Sequence, residues 1–208
     1  GLIRSDGSTA AAAKGSPVAI GGVAYDSRRV NRGDLFVALK GHQVDGSAYA
    51  REAIDKGALG VISETPAPAG AAVPWMTVTD ARLALALAAD AFHGHPSGRL
   101  QVVGITGTNG KTTTAHLVAS IFDAALKPCG LLGTVSYRIG SETREATHTT
   151  PESADIQRLL SEMIDRGCQA CAMEVSSHAL TLRRVEGTTF AAGVFTNLTD
   201  RKSTRLNL

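Results

Sequence analysis

Gly107-Thr108-Asn109-Gly110-Lys111-Thr112-Thr113 brings together the residue types that hold a polyphosphate. Glycines let backbone N–H groups turn toward an anion, and a helix that starts there adds partial positive charge. The spacing predicts that Lys111, the catalytic charge, reaches the β- and γ-phosphates of a nucleotide, and that the Thr112 hydroxyl sits on a magnesium ion. Gly107, Thr108, Asn109, Gly110 and Thr113 complete this phosphate-binding loop. The commonest form of such loops has a glycine where this chain has Ile105. Glu174 ends the apolar run Ala170–Val175. A strand-end carboxylate beside a phosphate loop is placed to hold magnesium, directly or through water. Taken alone, it reads first as a merely solvated strand end; with Thr112 and Lys111 in the same sheet the metal role is favoured.

These residues need a frame. Leu100 to Ile105 is short and β-branched and reads as a buried strand before the loop. Thr114 to Leu126 reads as the helix after it, with Leu117, Val118, Ile121 and Leu126 as its apolar positions. Further on, Gly130–Tyr137 is expected as a strand. Pro151 to Arg166 is expected as a helix capped by Thr150 and closed by Gly167, followed by strands at Ala170–Val175 and Ala191–Phe195. Strands alternating with helices predict an α/β fold with a parallel sheet, whose ligands collect at the carboxyl ends of the strands.

Upstream, the pattern predicts strands at Val18–Ala24, Leu35–Leu39, Ala58–Ser63 and Trp75–Val78, with helices over Ala48–Lys56 and Ala81–His93. The second helix has Thr79 or Asp80 as its cap and Leu83, Leu87 and Ala91 on one face. His95-Pro96-Ser97-Gly98 breaks the pattern and marks a domain boundary, so residues 1–98 and 99–199 are read as two domains. Residues 1 to 18 read as a loose arm.

Composition narrows the classes. The 208 residues are 43% hydrophobic and 4% aromatic, so the core is built from Ala, Val, Leu and Ile. A net charge of +2, from 21 basic and 19 acidic residues, argues for no nucleic acid and no membrane surface. No apolar run approaches the ~20 residues of a membrane span. The odd count of cysteines, Cys129, Cys168 and Cys171, points to a reducing, cytoplasmic setting. Cys168 and Cys171 have a redox and zinc spacing but stand alone, and read as buried thiols near a strand.

Gly104-Ile105-Thr106-Gly107-Thr108-Asn109-Gly110-Lys111-Thr112-Thr113-Thr114 resembles the phosphate loop of the Mur ligases, the ATP-dependent enzymes that build the peptide of the bacterial cell wall. Three other stretches resemble the branch that adds the third residue of that peptide. They are Asp26-Ser27-Arg28 with Gly33 to Ala38, then Gly41-His42-Gln43-Val44-Asp45-Gly46, and Ala172-Met173-Glu174-Val175-Ser176-Ser177-His178. The resemblance runs from residue 23 to 199. It implies a small N-terminal α/β domain that binds a UDP-muramoyl substrate, followed by the first part of a P-loop, parallel-sheet ATPase domain. It also implies magnesium and ATP, a UDP-N-acetylmuramoyl-dipeptide partner, and a diamino acid partner, with meso-diaminopimelate the more widespread choice in the family. Ser27, His42 and Gln43 match positions that contact the uridine diphosphate. Thr149, Thr150, Ser176 and Arg184 match positions that hold the muramoyl part. Read without the resemblance, these are ordinary loop polarity and a helix cap. His148 stands where the family often has Asn, and Leu182 where some members have Gln; His178 stays unassigned.

After Thr199 the chain leaves the family pattern, and residues 200–208 read as an atypical, basic tail. The expectation is an N-terminal portion of a ligase that does not ligate by itself. Two other classes fit the residues: a non-catalytic UDP-sugar-binding fragment, and another P-loop amide ligase or kinase.

Overall fold

In a computed structural model that describes residues 19–41 and 45–199, the chain divides between Phe92 and His93 into two units. The expected arm over 1–18, the tail over 200–208, and the residues His42, Gln43 and Val44 lie outside the described residues. The first unit carries a parallel sheet of β1 (Gly22–Ala24), β2 (Asp34–Ala38), β3 (Gly60–Ser63) and β4 (Trp75–Thr77), in that order. Strand alternation turns Phe36, Ala38 and Val61 to one face, where Ala50 and Ala53 of helix α1 (Ala50–Asp55) pack against them. Helix α2 (Ala81–Phe92) contacts β1, β2 and β3. Asp80 is its cap, accepting from the Leu83 N–H at 2.9 Å. The buried face of α2 is Ala81, Ala84, Leu85, Ala86 and Ala89, so the expected stripe was displaced: Leu87 and Ala91 are exposed. Four alanines let the helix lie close to the sheet around Leu85, and Leu87 is left outside.

The second unit is built on β5 (Gln101–Thr106), followed by α3 (Lys111–Ala124), β6 (Cys129–Leu132), β7 (Ser136–Ile139), β8 (Glu142–Glu145), α4 (Ser153–Asp165), β9 (Ala170–Glu174), α5 (Ser177–Thr181) and β10 (Ala192–Phe195). The sheet order is β10-β5-β9-β6-β7-β8. The pairs β10·β5, β5·β9 and β9·β6 are parallel, and β6·β7 and β7·β8 are antiparallel. Val103, Ile105, Leu131, Ala170 and Ala172 face α3. Val102, Leu132, Cys171 and Met173 face α4, which supplies Ile156, Leu159, Leu160 and Met163. Glu174 has the strand parity of Ala170 and Ala172, so its side chain falls on the α3 side of the sheet.

Three expectations for this unit are corrected. The apolar positions Leu117, Ile121 and Leu126 are exposed, while Ala115, Val118, Ala119 and Phe122 meet the sheet. Of the expected positions only Val118 packs; Leu126 lies beyond the end of α3 at Ala124, and the face that meets the sheet is the one that sets Ala115 and Ala119 against the strands with Val118 and Phe122 beside them. The single strand expected over Gly130–Tyr137 is two, β6 and β7, separated by a turn at Gly133–Val135, with β8 added beyond. β8 is polar on both faces and leaves no hydrophobic period to read. Helix α4 begins at Ser153, capped by Glu152, rather than at Pro151 with Thr150 as the cap. The Thr150 hydroxyl is used elsewhere, as described below. Among the described residues no helix is long and apolar enough to cross a membrane.

All three cysteines are free and buried. Burial pushes the Cys129 thiol up to about 11 and the Cys171 thiol well above its ordinary value. A thiol reagent such as Ellman's compound is therefore expected to react slowly with the native chain at pH 8, and with all three cysteines after unfolding. Rapid native reaction would contradict this core. The two helix faces give a second check by chemical denaturation. Leu160→Ala, fully buried under the sheet, is expected to cost roughly 2–5 kcal/mol, whereas Ile121→Ala on the exposed side of α3 is expected to stay within about 0.5 kcal/mol.

Candidate nucleotide and metal site

The loop between β5 and α3 needs both of its glycines. Gly107 has φ +131, and a Cβ there would collide with Thr196 Oγ1 and approach the Asn197 backbone nitrogen to 3.0 Å. Gly110, at φ +80, is the N-cap of α3 and offers no capping side chain. The first-turn N–H groups of Lys111, Thr112 and Thr113 thus open onto the site at the positive end of the helix. Thr113 is exposed.

The loop is clasped from the side by the segment that follows β10. The Thr108 N–H donates to the Asn197 carbonyl at 2.9 Å, and the Asn109 N–H donates to Asn197 Oδ1 at 3.2 Å. The Asn109 carbonyl accepts from Thr196 Oγ1 at 2.6 Å and from Asn197 Nδ2 at 3.0 Å. Thr199 bonds Thr108 and Asn109 through its backbone and its hydroxyl. The loop N–H groups expected to turn toward an anion are therefore divided. Those of Thr108 and Asn109 hold the clasp, and those of the helix start face outward. Lys111 Nζ lies over the loop and donates to the carbonyls of Gly107 at 2.8 Å and Thr108 at 3.3 Å.

At the carboxyl end of β9, Glu174 is 1% exposed. Thr112 Oγ1 donates to its Oε2 at 3.0 Å, which joins the phosphate loop to this carboxylate directly. Thr134, in the turn after β6, holds both oxygens: its N–H lies 2.9 Å from Oε1 and its Oγ1 lies 3.1 Å from Oε2. Sequence reading missed Thr134. The available signal was its place after a glycine at the carboxyl end of a parallel strand, hidden because β6 and β7 read as one element. A carboxylate this deeply buried calls for a compensating positive charge, and among the described residues no arginine or lysine pairs with it. One carboxylate and the Thr112 hydroxyl are hard oxygen donors, a partial set that fits magnesium completed by phosphate oxygens and water.

Four further sequence-predicted residues gather at the same strand end. Thr149 Oγ1 is 3.1 Å from Thr134 Oγ1. The Thr150 hydroxyl donates to the Glu174 carbonyl at 2.9 Å and accepts from the Ser176 N–H at 3.1 Å. Ser176 caps α5 through its own hydroxyl, which accepts from the Ala179 N–H at 3.2 Å. Arg184 donates to the Thr150 carbonyl at 3.0 Å, and its Nε lies 3.5 Å from Glu152 Oε2. Within the first unit, Ser27 is buried and its hydroxyl donates to Glu52 Oε2 at 2.8 Å. Lys56 and Ser27 together hold the Glu52 carboxyl below the usual carboxylate range. His42 and Gln43 lie outside the described residues.

Two family models match the chain: "Mur ligase family, catalytic domain" over residues 19–93 and "Mur ligase middle domain" over residues 105–201. A UDP-N-acetylmuramoyl-L-alanyl-D-glutamate–2,6-diaminopimelate ligase of Geobacter metallireducens is 52% identical over 180 residues, covering 86% of this chain and 35% of that protein. The ligase of the same name from Solibacter usitatus is 49% identical over 178 residues, covering 86% of this chain and 36% of that protein. A solved structure of a ligase of this name superposes with a TM-score of 0.75 at 29% identity, covering 88% of this chain and 37% of that one. The chain thus spans about a third of the length of the relatives it matches. With its phosphate loop, its strand-end carboxylate and both of its units matched, the chain belongs to the Mur ligase family, over that family's N-terminal and middle domains.

Proposed function

We propose that this chain is the UDP-sugar-binding and ATP-binding part of a cytoplasmic ligase of peptidoglycan synthesis, one that adds 2,6-diaminopimelate to UDP-N-acetylmuramoyl-L-alanyl-D-glutamate. The observation that carries this reading is the hydrogen-bonded run Thr112–Glu174–Thr134–Thr149. It ties the phosphate loop to the residues expected to hold the muramoyl substrate, so that nucleotide and acceptor carboxylate meet at one strand end. The names of the relatives supply the substrate class.

In this reading the free carboxylate of the glutamyl residue attacks the γ-phosphorus of ATP and ADP leaves, giving an acyl phosphate. An amine of diaminopimelate then attacks the carbonyl, loses a proton, and inorganic phosphate departs. The chain's own work is positioning and charge. Lys111 moves its ammonium from the Gly107 and Thr108 carbonyls onto the phosphate oxygens. The start of α3 presents its N–H groups to the same oxygens. Thr112 and Glu174 would hold magnesium, which would supply positive charge to neutralise the phosphoryl oxygens. Thr149, Thr150, Ser176 and Arg184 orient the acceptor, and in the first domain Ser27, His42 and Gln43 receive the uridine diphosphate.

Calorimetric titration of the chain with UDP-N-acetylmuramoyl-L-alanyl-D-glutamate is expected to give saturable binding. A folded sample that binds ATP but not this nucleotide would place it elsewhere among P-loop proteins. Lys111→Ala is expected to weaken ATP binding by roughly tenfold or more, since a hydrogen bond to a charged group contributes about 1.5–3 kcal/mol. In the full-length enzyme the same change should cut phosphate release by ~100-fold or more. Unchanged release would overturn the role given to the loop.

A further inference from the structure

We propose that Thr134 is a positioning residue that sets the plane of the Glu174 carboxylate for magnesium and couples it to Thr149; this rests on reading the site as one for ATP and magnesium. One residue grips both carboxylate oxygens, with its backbone N–H on Oε1 at 2.9 Å and its hydroxyl on Oε2 at 3.1 Å. A carboxylate held at one oxygen turns freely about its last torsion, whereas one held at both does not. The turn that carries Thr134 can come this close because position 133 is glycine. A Cβ there would lie 2.6 Å from Glu174 Oε1.

The protons can be counted. Thr134 Oγ1 is 3.1 Å from both Glu174 Oε2 and Thr149 Oγ1, yet it carries one proton. Its one proton is therefore shared between the carboxylate and the Thr149 hydroxyl, which links the two. Thr149, which is half-buried, keeps its own proton and a further lone pair for a ligand. A bound cation would take the lone pair of the Thr112 hydroxyl, and Thr134 would remain as the hold on the carboxylate. Thr134 thus acts through Glu174 and Thr149 rather than on the reacting atoms.

The test compares ATP affinity with magnesium present and with magnesium removed by chelator, by calorimetry on the chain and on Thr134→Val and Thr134→Ser. The Val variant keeps the branched shape and the backbone N–H but loses the hydroxyl. The ratio of the two affinities is expected to fall ~10-fold in Thr134→Val, as for loss of a group that orients a metal ligand, and to return in Thr134→Ser. A wild-type ratio in Thr134→Val, or a Ser variant as deficient as the Val one, overturns the proposal. Thr134→Ala gives the same comparison if the Val variant does not fold. A wild-type chain that binds ATP with no effect of magnesium overturns the metal role itself. No ATP binding at all overturns the underlying reading as well, so the failures are distinguishable.

Discussion

A carboxylate at 1% exposure sits at the end of an apolar strand, held by two threonine hydroxyls and one backbone N–H. Burial of an ion without a counter-charge is costly, and the surrounding structure is arranged around that cost. β9 lies between β5 and β6, so both flanking connections reach its carboxyl end. The connection from β5 brings the phosphate loop and Thr112. The one from β6 brings Gly133 and Thr134. In open sheets with such a parallel part, ligands collect at the carboxyl ends of the parallel strands.

Small residues make this arrangement possible. Ala115 and Ala119 let α3 approach the sheet, which brings Thr112 to within 3.0 Å of Glu174. Gly133 lets the neighbouring turn close on the carboxylate, and Gly107 lets the loop pass beneath Thr196 and Asn197. The clasp from Asn197 and Thr199 uses loop N–H groups that a different geometry would offer to an anion. The loop is thereby held in place, and the start of α3 and Lys111 are left for the phosphates in the proposed role.

Much of this was legible in the residues. The phosphate loop, its flanking strand and helix, and the strand ending at Glu174 follow from spacing and apolar runs. The direction of side chains was harder. In α2 and α3 more than one apolar stripe is present, and a hydrophobicity pattern does not say which one packs; the buried faces are those that set alanines against the sheet, with Leu85 among them in α2 and Val118 and Phe122 beside them in α3. The β6–β7 turn was invisible because Gly130 to Tyr137 holds no strong breaker besides Gly133, whose role is close approach to a residue 41 positions away. Thr150 fits a helix cap in sequence, yet its hydroxyl is drawn to the Glu174 carbonyl and the Ser176 N–H, contacts that exist only once β9 is placed.

The proposed role of the buried Glu174 carboxylate is to hold a cation beside a bound nucleotide. It is tested most directly with manganese as a paramagnetic probe, by measuring ATP-dependent Mn2+ binding in the chain and in Glu174→Gln. Glutamine keeps the shape and removes the charge. The account predicts that the variant loses the bound manganese while remaining at least as resistant to thermal unfolding, because an uncompensated buried charge has been removed. A variant that binds manganese as the wild type does, or that unfolds because the charge itself was needed for the fold, would contradict it.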